Sequence, residues 1–254
     1  MTDWDPALYR RFSNERFAPF DDLLALVAPR AGLRAVDLGC GTGELTVRLH
    51  ERLGDGEVVG IDTSAAMLER ARTLERPGLR FEAGAIETFA GHYDLIFSNA
   101  ALQWCGDHVN LFGRLFAALE PGGQLVAQFP AQRRPAPYDL IVDVAAEEPA
   151  RTALRGWVQP WDVLAIEEYA ELLHGLGATE IVAFDKLYPH VLADADGIVD
   201  WQRGTVLTAY RERLDPEAFA AFERRLRVRV RERWPQSPVF FPFRRTFVAA
   251  TKPA

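Results

Sequence analysis

Val36-Asp37-Leu38-Gly39-Cys40-Gly41-Thr42-Gly43-Glu44 decides how the rest of the chain is read. The apolar run from Ala35 to Leu38 predicts a buried strand, three glycines at alternate positions predict a tight turn, and Leu45 to Leu53 takes helical spacing. Strand, glycine loop and helix in that order make a nucleotide-type cradle. The backbone must turn sharply there, and a ligand must approach the main chain more closely than a Cβ would permit. A dinucleotide fingerprint requires a third glycine at the position held by Glu44, so that pattern fails. Asp37 and Glu44 flank the loop with negative charge, which opposes a pyrophosphate and suits a ligand carrying positive charge. S-adenosylmethionine, with an ammonium, a sulfonium and no phosphate, fits. At the end of the next apolar run, Val58-Val59-Gly60-Ile61, Asp62 is placed to accept from both hydroxyls of a ribose. It would serve NAD equally well and does not discriminate.

Asp37-Leu38-Gly39-Cys40-Gly41-Thr42-Gly43 resembles the first motif of the class I S-adenosylmethionine-dependent methyltransferases. Gly60-Ile61-Asp62 with Ser64 and Met67 resembles their second, and Leu119-Glu120-Pro121-Gly122-Gly123 resembles the turn before their fifth strand. The resemblance implies a Rossmann-like α/β fold that binds S-adenosylmethionine and releases S-adenosylhomocysteine. It implies cofactor contacts at Asp37, Gly39, Cys40, Gly41 and Glu44, then at Asp62, Thr63 and Met67, and finally at Ala85, Ile86 and Asn99. Asp37 would hold the ammonium and Asp62 the ribose. In that family an acid commonly follows the third strand and accepts from the adenine amino group. Here the position is Ala85, leaving the backbone of Ala85 and Ile86, with Glu87 as a less favoured substitute.

From residue 34 the chain alternates strand and helix, the pattern of a doubly wound, mainly parallel seven-stranded sheet. Strands are predicted at 35–38, 57–61, 79–82, 93–98, 124–129, 180–185 and 246–251, and helices at about 43–53, 64–75, 108–118 and 164–176. Ligands in such sheets bind outside the carboxyl ends of the strands, which places Asp37, Asp62, Ala85, Asn99 and Phe129 around one crevice. Residues 1–30 read as an N-terminal helical lid, 31–130 as the cofactor-binding core, and 131–254 as the rest of the sheet carrying an inserted helical cap at about 186–245. Asp5-Pro6 opens a helix that places Tyr9, Phe12 and Arg16 on one face, and Asp21 to Val27 reads as a second helix. The first of these either packs on the domain or closes over the ligand with Tyr9 and Arg16 inward.

A 254-residue chain accommodates one α/β domain with an appendage, and a net charge of -7 gives no overall reason to expect nucleic acid. The start of the chain has neither a basic nor an apolar leader, and no run approaches the roughly eighteen apolar residues of a membrane span, so a cytoplasmic protein is expected. Cys40 and Cys105 have no paired-ligand spacing, so neither a disulfide framework nor a metal site is expected. A helix after Asp215-Pro216 carries Arg224, Arg225, Arg227, Arg229, Arg231 and Arg233 on one side, either as a solvated face or as a nucleic-acid surface.

Within the family, the chain is similar to the trans-aconitate methyltransferases. Trp4-Asp5-Pro6-Ala7-Leu8-Tyr9 with Phe12-Ser13 and Glu15-Arg16 matches their N-terminal signature, and Asn99-Ala100-Ala101-Leu102-Gln103-Trp104 with Asp107-His108 matches their fourth-strand loop. Asp200-Trp201, Gly204-Thr205, Tyr188, His190 and Phe243 to Phe247 continue the likeness. It implies methyl transfer to a carboxylate of a small polyacid; separately, a monomer is expected because the lid and cap surfaces are committed to the protein's own pocket. Arg16 and Arg245 would anchor the acceptor, with Tyr9, Trp104, Tyr188 and His190 shaping the pocket; Trp104 reads equally as core. The chain departs from that group at Ala18 and at Val206-Leu207-Thr208-Ala209, where two arginines are missing; Arg133 or Arg134 would have to compensate. A carboxylate is already ionised, so no general base is needed; for a hydroxyl, amine or carbon acceptor His190 becomes the candidate base, and otherwise it packs the cap. Methylation of another small molecule or of RNA, and S-adenosylmethionine binding without catalysis, are the alternatives.

Overall fold

The first predicted strand forms as β1 (Arg34–Leu38), followed by β2 (Glu57–Asp62), β3 (Leu79–Ala83), β4 (Tyr93–Asn99), β5 (Leu119–Pro130), β6 (Thr179–Leu192) and β7 (Val239–Thr251). In the computed structural model, which describes residues 13–131 and 137–254, these make one sheet in the order β3-β2-β1-β4-β5-β7-β6. β1 pairs in parallel with both β2 and β4, as do β2 with β3 and β4 with β5, while β7 runs antiparallel to β5. The predicted doubly wound sheet is therefore the one observed. Four consecutive buried residues, Ala35 to Leu38, mark β1 as a central strand shielded on both faces. Strand order reverses between β1 and β4, so the connections leaving these two strands diverge and leave a crevice at their carboxyl ends.

Among the described residues the α-helices are α1 (Ser13–Ala25), α2 (Glu44–Leu53), α3 (Ala65–Arg72), α4 (His108–Ala117), α5 (Tyr138–Ala146), α6 (Ala150–Ala153), α7 (Ile166–Gly175), α8 (Asp196–Arg203), α9 (Leu207–Arg211) and α10 (Pro216–Arg233). Where a helix break was expected before Asp21, α1 runs unbroken through Pro19. Proline removes one backbone hydrogen bond, and complete burial of Phe20 and Leu23 against the core outweighs that loss at roughly 1.5–3 kcal/mol per side chain. The predicted turn at 119–123 lies inside β5. Register passes from Tyr93 opposite Leu119 to Leu95 opposite Gln124, so the intervening residues form a bulge, with Gly122 at φ 76°.

Two compact units partition the chain. Phe17–Ala131, Asp162–Lys186 and Arg244–Ala254 form the core unit, and of the described residues 13–16, 137–161 and Leu187–Phe243 form the other. The core unit is filled by Val36, Leu38, Ile96, Phe112, Phe129 and Tyr169 among others. In the second unit, Ile141 and Val144 of α5, Ile198 and Val199 of α8, and Phe222, Leu226 and Val230 of α10 share an apolar cluster with Val239, Phe241 and Phe243. The predicted sixth and seventh strands are longer than expected because alternation continues outside the predicted spans. Tyr188, His190 and Leu192 alternate inward, as do Val239, Phe241 and Phe243.

His108 ties three segments of the core unit together. Its Nε2–H donates to the Leu102 carbonyl at 3.0 Å, and its Nδ1 accepts from the Tyr169 hydroxyl, which in turn accepts from Leu164 N–H at 3.2 Å. Burial lowers the imidazole pKa from its ordinary 6.5, with Asp107 and Asp162 partly opposing the shift. Below pH 6.5 the unfolded chain therefore binds a proton at this site that the folded chain does not, and stability falls as the pH drops. Urea unfolding from pH 7.5 to pH 5 should show this decline, and His108→Asn, less stable overall, should show a flatter one.

Candidate functional site

At the carboxyl end of β1 the main chain enters the glycine loop, and the N–H groups of Gly39 and Cys40 both donate to the Ile61 carbonyl at 2.9 and 3.0 Å. All three loop glycines have positive φ, at 79°, 57° and 82° for Gly39, Gly41 and Gly43, but each answers a different need. A Cβ on Gly39 would sit 2.2 Å from the Cβ of Ala101, and one on Gly43 would sit 2.7 Å from the Phe81 ring. Those two glycines allow the protein to pack on itself. Gly41 alone faces open space, so it is the one that leaves main chain accessible to a ligand.

Asp37 is buried, and its Oδ2 accepts from the Thr46 hydroxyl at 2.6 Å; Thr46 is a fully buried residue of α2. Its Oδ1 is buried with no hydrogen-bond partner among the described residues. Burial pushes the carboxyl pKa up to about 7 against the pull of the Thr46 bond, and the nearby Asp62 adds to the rise. An unpartnered carboxylate oxygen in such a place fits a cationic donor, as an ammonium would be. Asp62 is held by Gly41 N–H at 2.9 Å and Ser64 N–H at 2.8 Å, one on each oxygen, which orients the carboxylate at the end of β2. Each oxygen has a second lone pair for a ribose hydroxyl. Glu44 is exposed at the start of α2 and accepts from the Thr42 hydroxyl at 2.5 Å. Its charge at a helix N-terminus is what excludes a phosphate there.

The remaining predicted cofactor residues also fall in the core unit. Thr63 is exposed, Met67 is half-buried behind the Ser64 N-cap, and Ala85 precedes the 3₁₀ turn Ile86–Thr88. Ile86 approaches Gly39, its Cδ1 lying 3.9 Å from where a Cβ would be. Glu87 is exposed on that turn, and burial together with the nearby Glu87 carboxylate pushes the Cys105 thiol pKa up to about 12. Burial, with Asp37 and Asp62 nearby, also pushes the Cys40 thiol far up, and it is inert in the loop.

Asn99 ends β4, and its Oδ1 accepts from Nε2 of Gln128 opposite it on β5. The next residue, Ala100, is left-handed at φ 57°, which costs an alanine roughly 1–2 kcal/mol. Two bonds hold it: Ala100 N–H donates to the Gln128 carbonyl at 2.8 Å, and Gln103 Nε2 donates to the Ala100 carbonyl at 2.7 Å. At about 1 kcal/mol each they offset the strain and aim Ala101 into the Gly39 gap. Thr46 and Gln128 escaped the sequence reading, which named Gln103 only within the fourth-strand loop, although a glutamine within the apolar run Leu125–Phe129 was a signal.

Of the predicted acceptor residues, Trp104 is 44% exposed and Arg245 is buried, both in the core unit, while Tyr188 and His190 are buried in the other. The His190 ring lies 5.1 Å from Trp201 and 6.1 Å from Phe243, an aromatic environment. Tyr9, Arg133 and Arg134 lie outside the described residues, and for Arg16 the backbone alone is described. The arginine face of α10 is largely neutralised: Arg225 pairs with Glu147, Arg227 with Asp200 and Glu223, and Arg231 with Asp196. Among the described residues no group of side chains could hold a metal ion and no helix is long and apolar enough to cross a membrane.

A family model described as a methyltransferase domain matches residues 29–168. The chain is 42% identical to a trans-aconitate 2-methyltransferase of Deinococcus radiodurans over 98% of both chains, and 40% identical to one of Variovorax paradoxus over the whole of both. Among solved structures it resembles the YcgJ protein of Bacillus subtilis, with a TM-score of 0.63 at 14% identity over 94% of this chain and 99% of that one. It also resembles a phosphoethanolamine N-methyltransferase of Haemonchus contortus in complex with S-adenosyl-L-methionine, at 0.57 and 16% over 95% of this chain and 53% of that one. At such identities the likeness is one of fold.

Replacing Asp62 with Ala should weaken S-adenosylmethionine binding by about 100-fold in calorimetry while the fold, followed by circular dichroism, is retained. A second expectation concerns Asp37. If its ionised form holds a cation, affinity should fall as the pH drops through about 7, and Asp37→Asn should bind weakly at every pH.

Proposed function

The chain belongs to the methyltransferase-domain family and, within it, to the group of the trans-aconitate 2-methyltransferases, and we propose that it transfers the methyl group of S-adenosylmethionine to a carboxylate of trans-aconitate. The observation that carries the cofactor half of this reading is the unpartnered Oδ1 of buried Asp37, beside a loop whose middle glycine faces open space. The near full-length likeness to the named relatives carries the substrate half.

When bound, the cofactor supplies a methyl group on a sulfonium, an electrophilic carbon already joined to a good leaving group. The protein has no proton to remove, because a carboxylate acceptor is ionised at neutral pH. What remains for its side chains is to bind, orient and exclude water. Asp37 and Asp62 would hold the ammonium and the ribose, and Gly41 would leave its main chain open to the ligand. Ile86 and the backbone at Ala85 would take the adenine, with no acidic side chain at position 85 to read its amino group. The acceptor's carboxylates need cations or N–H donors, and Arg16 and Arg245 are the candidates already on the chain.

Release of S-adenosylhomocysteine tests this directly. Turnover is expected with trans-aconitate, and little or none with citrate, succinate or an RNA pool. Silence with every acid, while S-adenosylmethionine still binds, would overturn the carboxylate assignment and leave the cofactor assignment standing.

A further inference from the structure

Ala100 holds a conformation that glycine would adopt freely and that costs an alanine roughly 1–2 kcal/mol, with φ at 57°. Strain of this kind persists only where the surroundings enforce it, and it gathers where a fixed geometry is put to use. Two hydrogen bonds enforce it here, and they are not equivalent. Ala100 N–H donates to the main-chain carbonyl of Gln128, which any residue at that position would offer. The Ala100 carbonyl accepts from Nε2 of the Gln103 side chain at 2.7 Å, and this second bond depends on residue type.

Stability alone does not account for Gln103. It is 6% exposed, and its Oε1 is buried with no hydrogen-bond partner among the described residues. An amide that is buried with its acceptor unused costs the fold free energy that an apolar side chain of the same size would not. The backbone that carries it is firmly held. Gln103 lies in the 3₁₀ turn Leu102–Trp104, where Trp104 N–H donates to the Ala101 carbonyl at 3.1 Å and the Leu102 carbonyl accepts from His108 at 3.0 Å. From that braced turn the amide reaches back and fixes the peptide that aims Ala101.

Ala101 meets the glycine loop. Its Cβ lies 2.2 Å from where a Gly39 Cβ would be, so a swing of Ala100 and Ala101 would release the loop at its first glycine. Further along the loop, Gly41 N–H donates to Asp62 Oδ2 at 2.9 Å and orients the carboxylate assigned to the ribose. The Gln103 amide, Ala100, Ala101, the glycine loop and Asp62 therefore form one chain of contacts, all of it within the core unit.

We propose that Gln103 is a positioning residue for S-adenosylmethionine: its bond to the Ala100 carbonyl keeps the glycine loop, and through Gly41 the Asp62 carboxylate, in the binding geometry before the cofactor arrives. The proposal rests on the reading of this loop as the S-adenosylmethionine site. It assigns to a buried side chain, remote from the ligand, part of the affinity credited to the loop.

The test measures S-adenosylhomocysteine binding by calorimetry on the full-length protein, with the fold of each variant checked by circular dichroism. Gln103→Met and Gln103→Leu keep the bulk and remove the donor, and each should weaken binding by about tenfold. In an Ala100→Gly background the left-handed geometry needs no enforcement, and the same two substitutions should weaken binding by less than about threefold. A side chain that only fills space would show the same loss in both backgrounds. Unchanged affinity in the folded Met and Leu variants, or losses of equal size with Ala100 and with Gly at that position, would overturn the proposal. Having two apolar variants keeps the test decisive if one of them fails to fold. Failure of the unaltered protein to bind S-adenosylhomocysteine would overturn the cofactor reading itself, and this role with it.

Discussion

The structure of the core unit depends on a space that is too small for a methyl group. Ala101, delivered by the left-handed Ala100, occupies the volume that a Gly39 side chain would need. This contact joins the loop after β1 to the loop after β4 at the point where the strand order reverses. The hydrogen bonds of Gln103 and Gln128 to the Ala100 backbone keep it in place, and Ile86 closes on the same spot. A glycine usually credited to ligand approach thus serves packing, and the adjacent Gly41 is the one left open. One loop sequence carries both tasks because each glycine is used for a different reason.

Charge then selects what the site holds. A carboxylate that keeps one oxygen unpartnered in a buried position, with its pKa raised to about 7, is a poor stabiliser of the free protein and a good receptor for a cation. Thr46 fixes its other oxygen and so restricts the direction in which that cation is bound. Asp62 is oriented by two main-chain N–H groups, which makes its position a property of the backbone. The nearby cysteine adds nothing reactive, because the same burial and negative charge that tune Asp37 suppress its ionisation.

The second unit solves a different problem. α10 carries many arginines, and the acids that balance them lie on α8, at the end of α5 and on α10 itself, so the charges join helices around an apolar cluster. What looks like a basic stripe in sequence is a set of cross-helix ties.

The sequence by itself determined the strands, the glycine loop, and the acids at Asp37 and Asp62, because these are local properties. Apolar runs report burial, short turns need glycine whatever surrounds them, and an acid at a strand end is already aimed at the crevice. It also identified the sheet type, since alternating strands and helices admit few arrangements. Only the tertiary structure decided the rest. Thr46 reaches Asp37 from a different element, Gln128 meets Asn99 across a strand pair, and the α10 arginines find acids far along the chain. The continuation of β6 and β7 past their predicted ends was visible as alternation but needed an apolar cluster to give it meaning. A polar residue on a helix says little in sequence, and only the packing of α8 shows that Gln202 is buried.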